Sequence, residues 1–264
     1  MLLTIITVTR NDSKRLNKTI ESLKNYYEND LFEHIIIDGA STDDTKLIVK
    51  AYAKKHKNII FKSERDSGIY HGMNKGIYLS HGEFVLFLNS GDEVAIDPNL
   101  LISEINKLDN KVLDIVCFPY LQHWRNLKIV RYPVKLEKDK MPTSHQGMIF
   151  SQKFLAENIY NINYKIAADF DLYHRANSYK IKLINHFMHI TLVEGDGVAS
   201  NDTYRSYNEY IKIIFLKYGL INGFTSIAKI LVKSILVRFI KKIISKNAII
   251  KIRSIYYSGN RNAR

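Results

Sequence analysis

"LLTIITVTRNDSKRLNKTIESLKNYYENDLFEHIIIDGAS", residues 2–41, holds an apolar run, a polar break, a helical stretch and a second apolar run. The first run, "LLTIITVT", is rich in β-branched residues and stops at "RND", the pattern of a strand buried on both faces. In "SKRLNKTIESLKNYY" Leu16, Ile20, Leu23 and Tyr27 recur at helical spacing, with Asp12 or Ser13 available as the cap. "EHIIIDGAS" is then a second buried strand, and it ends on Asp38 and Gly39. Two such strands joined by one helix predict a right-handed crossover and parallel pairing.

The alternation continues. "TDDTKLIVKAYAKKH" predicts a helix that starts within Thr42 to Thr45 and turns Leu47, Ile48, Ala51 and Tyr52 inward. "NIIFKSE" is a third strand, residues 69–80 a third helix and "EFVLFLN" a fourth strand. The fold class is therefore α/β, with a mostly parallel, doubly wound sheet. Ligands of such sheets bind outside the carboxyl ends of the strands. That rule sets Thr9, Asp38, Asp66 and the segment Asn89 to Asp92 along one edge.

Past Pro98 the pattern loosens. "NLLISEINKL" reads as a helix, while "DIVCFPYLQHW" and "LKIVRYPV" alternate as strands in mixed or antiparallel pairing do. "YKIAADFDLYHRANSYKI" reads as a loop feeding a helix with Asp169 near its start, and "KLINHFMHITLVEGDGVAS" is strand-like before a glycine-containing loop. No internal repeat is present.

Charge divides the chain unevenly. The whole carries 39 Lys and Arg against 26 Asp and Glu, a net +13. Residues 205–264 hold 13 of those cations and a single acid, Glu209, so the preceding body is nearly neutral. That distribution argues against nucleic-acid binding, which needs cations spread over the binding face. In "TSIAKILVKSILVRFIKKIISK" the cations Lys229, Lys233, Lys241, Lys242 and Lys246 recur every few residues among Ile, Leu, Val and Phe. This predicts a basic amphipathic helix lying on an anionic membrane surface through residues 225–253, or one packed on the body with its lysines in water. The expected organisation is a body over 1–205 and a helical tail over 206–264. The single cysteine, Cys117, excludes a disulfide framework and fits a reducing compartment. "MLLTIITVTRND" lacks the basic start of a signal peptide, and no run approaches the roughly 18 apolar residues of a span. A cytoplasmic protein, peripheral on the inner face of the membrane, is expected.

Asp92 follows the fourth strand, with Asn89 and Ser90 beside it. These are hard oxygen donors suited to Mg²⁺ or Mn²⁺, an ion that can bridge the phosphates of a nucleotide. Asn-Ser-Gly-Asp is also ordinary turn chemistry; its place at a strand end, downstream of two other strand-end aspartates, favours the ligand reading. Asp38 is suited to accept hydrogen bonds from a base or ribose, or else to cap the next helix. Asp66 is suited to contact the base or to order the loop leading to Tyr70, Asn74 and Lys75. Lys75 is either a phosphate counter-charge or a solvated helix residue.

"TIITVTRN", "IIIDGASTDDT", "ERDSGIYHGMNKGI", "GEFVLFLNSGDE", "SHQGMIF" and "YKIAADFDLYHRA" occur in that order. The series, over about residues 2–200, resembles the successive motifs of the family 2 glycosyltransferases, in particular those of bacterial polysaccharide and O-antigen assembly. The resemblance implies a GT-A fold, a nucleotide-diphosphate sugar donor with UDP the first expectation, a divalent metal, and inversion at the anomeric carbon. It puts Thr9 and Asp38 at base-contacting positions and Asp66 at another nucleotide-side position; Asn74 and Lys75, on the helix that follows, are expected to join them in donor binding. "NSGD" takes the place of the family's Asp-x-Asp metal motif, with Asn89 and Gly91 where acids are usual and Asp92 as the one carboxylate. Asp169 matches the general base, with Ala168 where a glutamate often sits and Asp171 as the competing candidate. His145 and Gln146 resemble an acceptor-side "HQ" pair. His186 and His189 flank a strand, where one approaches the diphosphate or both are buried structural residues. "EGDGVAS" resembles a loop that closes over the donor.

The expected activity is therefore metal-dependent transfer of a sugar to a saccharide acceptor, lipid-linked at the membrane. A catalytically weakened scaffold is the alternative that the thinned motif suggests. A sugar nucleotidyltransferase is disfavoured, because "TRNDSKRLN" has no glycine to cradle a triphosphate.

Overall fold

The computed structural model describes residues 1–124, 127–194 and 203–243. In chain order its elements are β1 (Leu3–Thr9), α1 (Ser13–Ser22), β2 (Phe32–Asp38), α2 (Thr45–Ala53), β3 (Ile59–Ser63), α3 (Ile69–Leu79), β4 (Phe84–Phe87), β5 (Glu93–Val94) and α4 (Pro98–Ile105). They continue as β6 (Ile115–Cys117), β7 (Tyr120–Trp124), β8 (Leu127–Arg131), a 3-10 turn (His145–Gly147), β9 (Met148–Ser151), α5 (Gln152–Glu157), α6 (Ala168–Arg175), β10 (Ile181–Leu183), β11 (Thr191–Glu194) and α7 (Thr203–Ile243).

The larger sheet has seven strands in the order β10-β6-β9-β4-β1-β2-β3. β1 to β4 are mutually parallel, as the alternation of strand and helix predicts, and β9 is antiparallel to both β4 and β6. Every residue of β1 and β2 is buried, which is why their apolar residues fall at successive positions and not only at alternate ones. Successive side chains alternate between two cores. Leu3, Ile5 and Ile36 pack with Leu16, Ile20, Leu23 and Tyr27 of the α1 region, while Ile6, Val8, Ile35 and Ile37 pack with Met73, Ile77, Tyr160 and Phe170.

At Pro119, which has no N–H to donate to a ladder, the chain leaves the larger sheet. A smaller sheet follows, in the order β5-β11-β7-β8. The apolar segment "DIVCFPYLQHW" thus divides between β6 and β7, and "KLINHFMHITLVE" between β10 and β11.

Two expectations need correction. In α2, Leu47 and Ala51 are exposed; Ile48 and Tyr52 pack partly buried against the core as expected, beside the fully buried Thr45 and Val49. The helix begins only at Thr45, and its i, i+4 pair faces the core. The body also runs past residue 205: Ile213 and Ile214 of α7 are buried in the core that holds Phe170 and Tyr173. α7 breaks at Gly219, whose φ of 74° no helix contains. Beyond the break Leu220, Ile221, Phe224, Val232 and Ile235 are exposed. No helix among the described residues is long and apolar enough to cross a membrane. Of the expected surface-binding segment, residues 244–253 with Lys246 lie outside the described residues, as does the loop over residues 195–200.

Buried histidines make the fold acid-sensitive. His34 is fully enclosed in β2 between the Tyr27 hydroxyl and Thr7 Oγ1, each 2.9 Å from a ring nitrogen, and burial lowers its pKa to about 3. Burial, then the Lys217 charge, lowers that of His174 to about 4. Both folded values lie below the unfolded 6.5. The unfolded chain therefore takes up protons first, and stability is lost as pH falls below 6.5. Between pH 7 and pH 5 each histidine is expected to cost about 2 kcal/mol. Urea midpoints at the two pH values measure this, and an unchanged midpoint contradicts it.

Candidate functional site

The register of the parallel strands sets their carboxyl ends in a row: Thr9 pairs with Asp38, and Asp38 with Ser63. Loops leave from each end, and two hold non-glycine residues in the left-handed region, Asn11 (φ 51°) and Ala40 (φ 60°). Local hydrogen bonds hold them there. Asn11 N–H donates to Ser41 Oγ at 2.7 Å, and its Oδ1 accepts from Thr42 N–H at 2.8 Å.

Next along the edge comes the segment after β4. Asp92 is only 4% exposed, and both its oxygens have partners. Oδ2 accepts from Gln146 Nε2 at 2.9 Å, and Oδ1 from the Glu194 N–H at 3.2 Å. Burial raises the pKa of this carboxyl against the lowering effects of Gln146, His145, the Glu194 amide and Arg15. Asn89 Nδ2 lies 3.1 Å from His145 Nε2, while its Oδ1 is buried without a hydrogen-bond partner. Ser90 Oγ donates to Asp12 Oδ2 at 3.0 Å.

Asp169 approaches the same place from α6. Its Oδ1 accepts from the Phe170 N–H at 2.8 Å, and its Oδ2 lies 3.5 Å from His145 Nδ1. Consecutive residues of one 3-10 turn thus reach the two carboxylates, His145 touching Asp169 and Gln146 touching Asp92. Thr191 Oγ1 anchors the turn from the smaller sheet by donating to Gln146 O at 2.8 Å, and Phe118 N–H donates to Gly147 O. Asp171 has a different employment: it pairs with Arg175 at 3.1 Å, and burial, partly offset by Arg175, raises its pKa.

The structure brings Asn89, Ser90, Asp92, His145, Gln146 and Asp169 together. It employs three other expected residues elsewhere. Asp38 is fully buried, because the "DGAS" turn folds back over it. Its oxygens accept from Ser41 N–H, Ser41 Oγ and, at 2.6 Å, Ser63 Oγ, so it shapes the edge loop. Asn74 spends both ends of its amide on the backbone of Tyr160, at 2.9 and 2.8 Å. Lys75 holds Glu64 at 3.0 Å and Arg65 O at 2.7 Å, which fixes the loop that carries Asp66. Asp66 itself stays at the edge, beside Gly39, where a Cβ would come within 2.7 Å of its Oδ2. Thr9 keeps a buried hydroxyl without a partner. His186 is exposed and His189 half-buried, so neither is a buried structural residue.

Sequence reasoning passed over Asp12, Arg15 and Glu194. Asp12 reads as a helix cap, yet it makes no side-chain cap bond and serves Ser90 and Arg15. Arg15 lies against Gly91 (φ 95°), where any Cβ would collide with its guanidinium, and it pairs with Glu194 at 3.5 Å. The adjacency of β1 and β4 was the available signal, since it brings the loops after both strands together.

The site residues can accommodate a divalent cation in part. One carboxylate, one hydroxyl and the unpartnered Asn89 Oδ1 form an all-oxygen set at the motif. No group of three His, Cys, Asp or Glu suited to a metal exists among the described residues. That set fits an ion of the Mg²⁺ type, which commonly takes one or two carboxylates and completes its shell from substrate phosphates and water.

Comparison with known proteins bears on family and fold. Residues 4–155 match the family model described as glycosyl transferase family 2. An uncharacterized glycosyltransferase of Mycobacterium tuberculosis is 30% identical over 182 residues, covering 65% of this chain and 67% of that one. A PGL/p-HBAD biosynthesis glycosyltransferase of Mycobacterium bovis is 27% identical over 186 residues, covering 68% and 66%. Among solved structures, S. aureus TarS in complex with UDP-GlcNAc superposes with a TM-score of 0.65 at 20% identity, over 82% of this chain and 66% of that one. Mannosyltransferase PcManGT from Pyrobaculum calidifontis, in complex with GDP-Man and Mn²⁺, gives 0.58 at 16% identity, over 98% and 82%. The chain spans about two thirds of the length of the first of these relatives. The fold is GT-A.

Proposed function

The chain belongs to glycosyl transferase family 2, and from that premise we propose that it moves a sugar from a nucleotide-diphosphate donor to a saccharide acceptor with inversion at the anomeric carbon. The observation that carries this reading is the shared turn, whose two consecutive side chains hold Asp92 and Asp169. One carboxylate on the leaving-group side and one on the acceptor side is what an in-line displacement requires.

Asp169 is the base. Its Oδ1 is committed to the Phe170 N–H, so Oδ2 receives the proton of the attacking hydroxyl. As that proton leaves, the acceptor oxygen bonds to the anomeric carbon and the bond from that carbon to the diphosphate oxygen breaks. His145 orients Oδ2, and Gln146 fixes Asp92. Asp92, with Asn89 Oδ1 and Ser90, would hold Mg²⁺ or Mn²⁺. Such an ion, when bound, neutralises charge on the leaving diphosphate. Arg15 contributes a fixed positive charge on the same side. Thr9 and Asp66 line the nucleotide end, with UDP the first candidate base.

The acceptor is lipid-linked, in cell-surface polysaccharide assembly at the cytoplasmic face. The support is α7, which continues from the body into a stretch rich in exposed apolar residues and, by sequence, in cations. A weakened, scaffold-like transferase is the second reading, favoured by the single buried carboxylate of the motif.

A panel of UDP-, GDP- and dTDP-sugars with Mn²⁺ or Mg²⁺ tests both readings. One donor class is expected to raise Tm by mass action and to be hydrolysed slowly. Asp92→Ala is expected to lower that hydrolysis by at least about 100-fold, the scale of lost electrostatic stabilisation of a leaving group. Near-zero rates indistinguishable between wild type and variant would favour the scaffold.

A further inference from the structure

The one acid in residues 205–264 accepts from a run of three backbone amides. Glu209, in the second turn of α7, accepts at Oε1 from the Lys165 N–H, and at Oε2 from the Ile166 and Ala167 N–H groups, each at 2.9 Å. These amides immediately precede α6, the helix that carries Asp169. The N-cap residue of α6, Ala167, has no side chain able to cap. The amides at a helix start need acceptors, and the positive end of the helix favours an anion. A carboxylate from another helix meets both needs here.

The rest of α7 clasps the same element. The Tyr210 ring packs edge-on against Phe170 at 4.4 Å between centroids. The Tyr218 hydroxyl lies 2.8 Å from His174 Nδ1, and Lys217 Nζ donates to His174 O. On the other side, Tyr70 of α3 donates to Ile166 O at 2.6 Å. Helix α6 is therefore held at its start, middle and end by the helix that leads into the basic tail.

We propose that Glu209 is a positioning residue for transfer: it fixes the entry to α6 and so aims Asp169, coupling placement of the base to the seating of α7. The proposal rests on the reading of Asp169 as the base. Glu209 acts on the base through the backbone amides of residues 165–167 and not by contact with Asp169. Its loss should therefore slow turnover without weakening the donor site, because small displacements of a catalytic group are costly.

The test uses the full-length chain. Glu209→Gln, which keeps the shape but loses the anion, is expected to lower kcat about 10- to 100-fold with donor KM within about twofold. Glu209→Ala is expected to lose as much and to recover part of its rate in added formate, a small carboxylate that fits the space left; Glu209→Gln is expected to show no rescue. Amide exchange at residues 165–170 supplies a readout independent of activity, and about tenfold faster exchange is expected in both variants. An unchanged kcat, or unchanged exchange at those amides, overturns the proposal. So does a rate loss matched by an equal loss of donor affinity, since that marks a general structural defect. If wild type turns over no nucleotide sugar, the transferase reading fails, and the exchange measurement still decides whether Glu209 holds the entry to α6.

Discussion

Asp169→Asn is expected to lower the rate of sugar transfer by about 10²- to 10⁴-fold, the usual contribution of a positioned general base. The substitution is nearly isosteric. Its amide oxygen keeps the bond from the Phe170 N–H, so α6 retains its start. What disappears is the anionic oxygen facing His145, the one able to take a proton. Donor affinity should change little, because the end of the edge proposed for the nucleotide, with Thr9 and Asp66, lies at other strand ends. Asp171→Asn is the control. Its carboxylate pairs with Arg175 at i, i+4, and its loss is expected to cost no more than about 1 kcal/mol and leave kcat within a few-fold. Initial rates and donor KM for the three proteins decide. If Asp171→Asn were the inactive variant, the assignment of the base would be reversed.

The second large effect concerns the membrane surface. Ile221 and Ile235 are 82% and 63% exposed on α7. Seating an exposed aliphatic side chain in the acyl boundary contributes about 1.5 kcal/mol or more. The double variant Ile221→Asp, Ile235→Asp is thus expected to bind phosphatidylglycerol vesicles about 100-fold more weakly or worse. Neither residue belongs to the packed cores, so folding should be preserved. Wild-type binding should also fall in high salt and on neutral phosphatidylcholine vesicles, because clustered cations act on anionic headgroups within a Debye length. Sedimentation with vesicles measures it. Equal binding by the two proteins, or wild-type binding indifferent to lipid charge, rules out this surface as the contact. Concentration-dependent dimerisation abolished by the double variant would name a second copy of the chain as its occupant.

The parallel half of the fold was legible because its signals are local and repeated. Strands such as "LLTIITVT" and "EHIIIDGAS" place Ile and Val at successive as well as alternate positions since both their faces are covered, and the helix over residues 69–79 agrees with its expected bounds to one residue. The places of Asp38, Asp66 and Asp92 along one edge were likewise readable from the strand pattern, but not what each carboxylate does there. Asp38, Asn74 and Lys75 show where reading stops. A carboxylate, an amide and an ammonium at an edge carry the same sequence signature whether they face a ligand or their own backbone. What decides is the fold-back of "DGAS", or the approach of Tyr160 from 86 residues away. Glu209 shows the same limit in reverse. As a lone acid in a basic stretch it is visible, but its partners lie more than 40 residues upstream and are backbone amides, which leave no trace in composition.

The turn at Gly91 constrains what the loop after β4 can become. Its φ of 95° strains any L side chain, and the mobile tip of Arg15 can swing aside but cannot relieve that strain. Removing the arginine frees the space, and Glu194 still holds Lys18 at 3.2 Å, yet the backbone at 91 stays left-handed. Passing from the one-acid to the two-acid version of this loop therefore needs a different turn, and each version is in that sense locked.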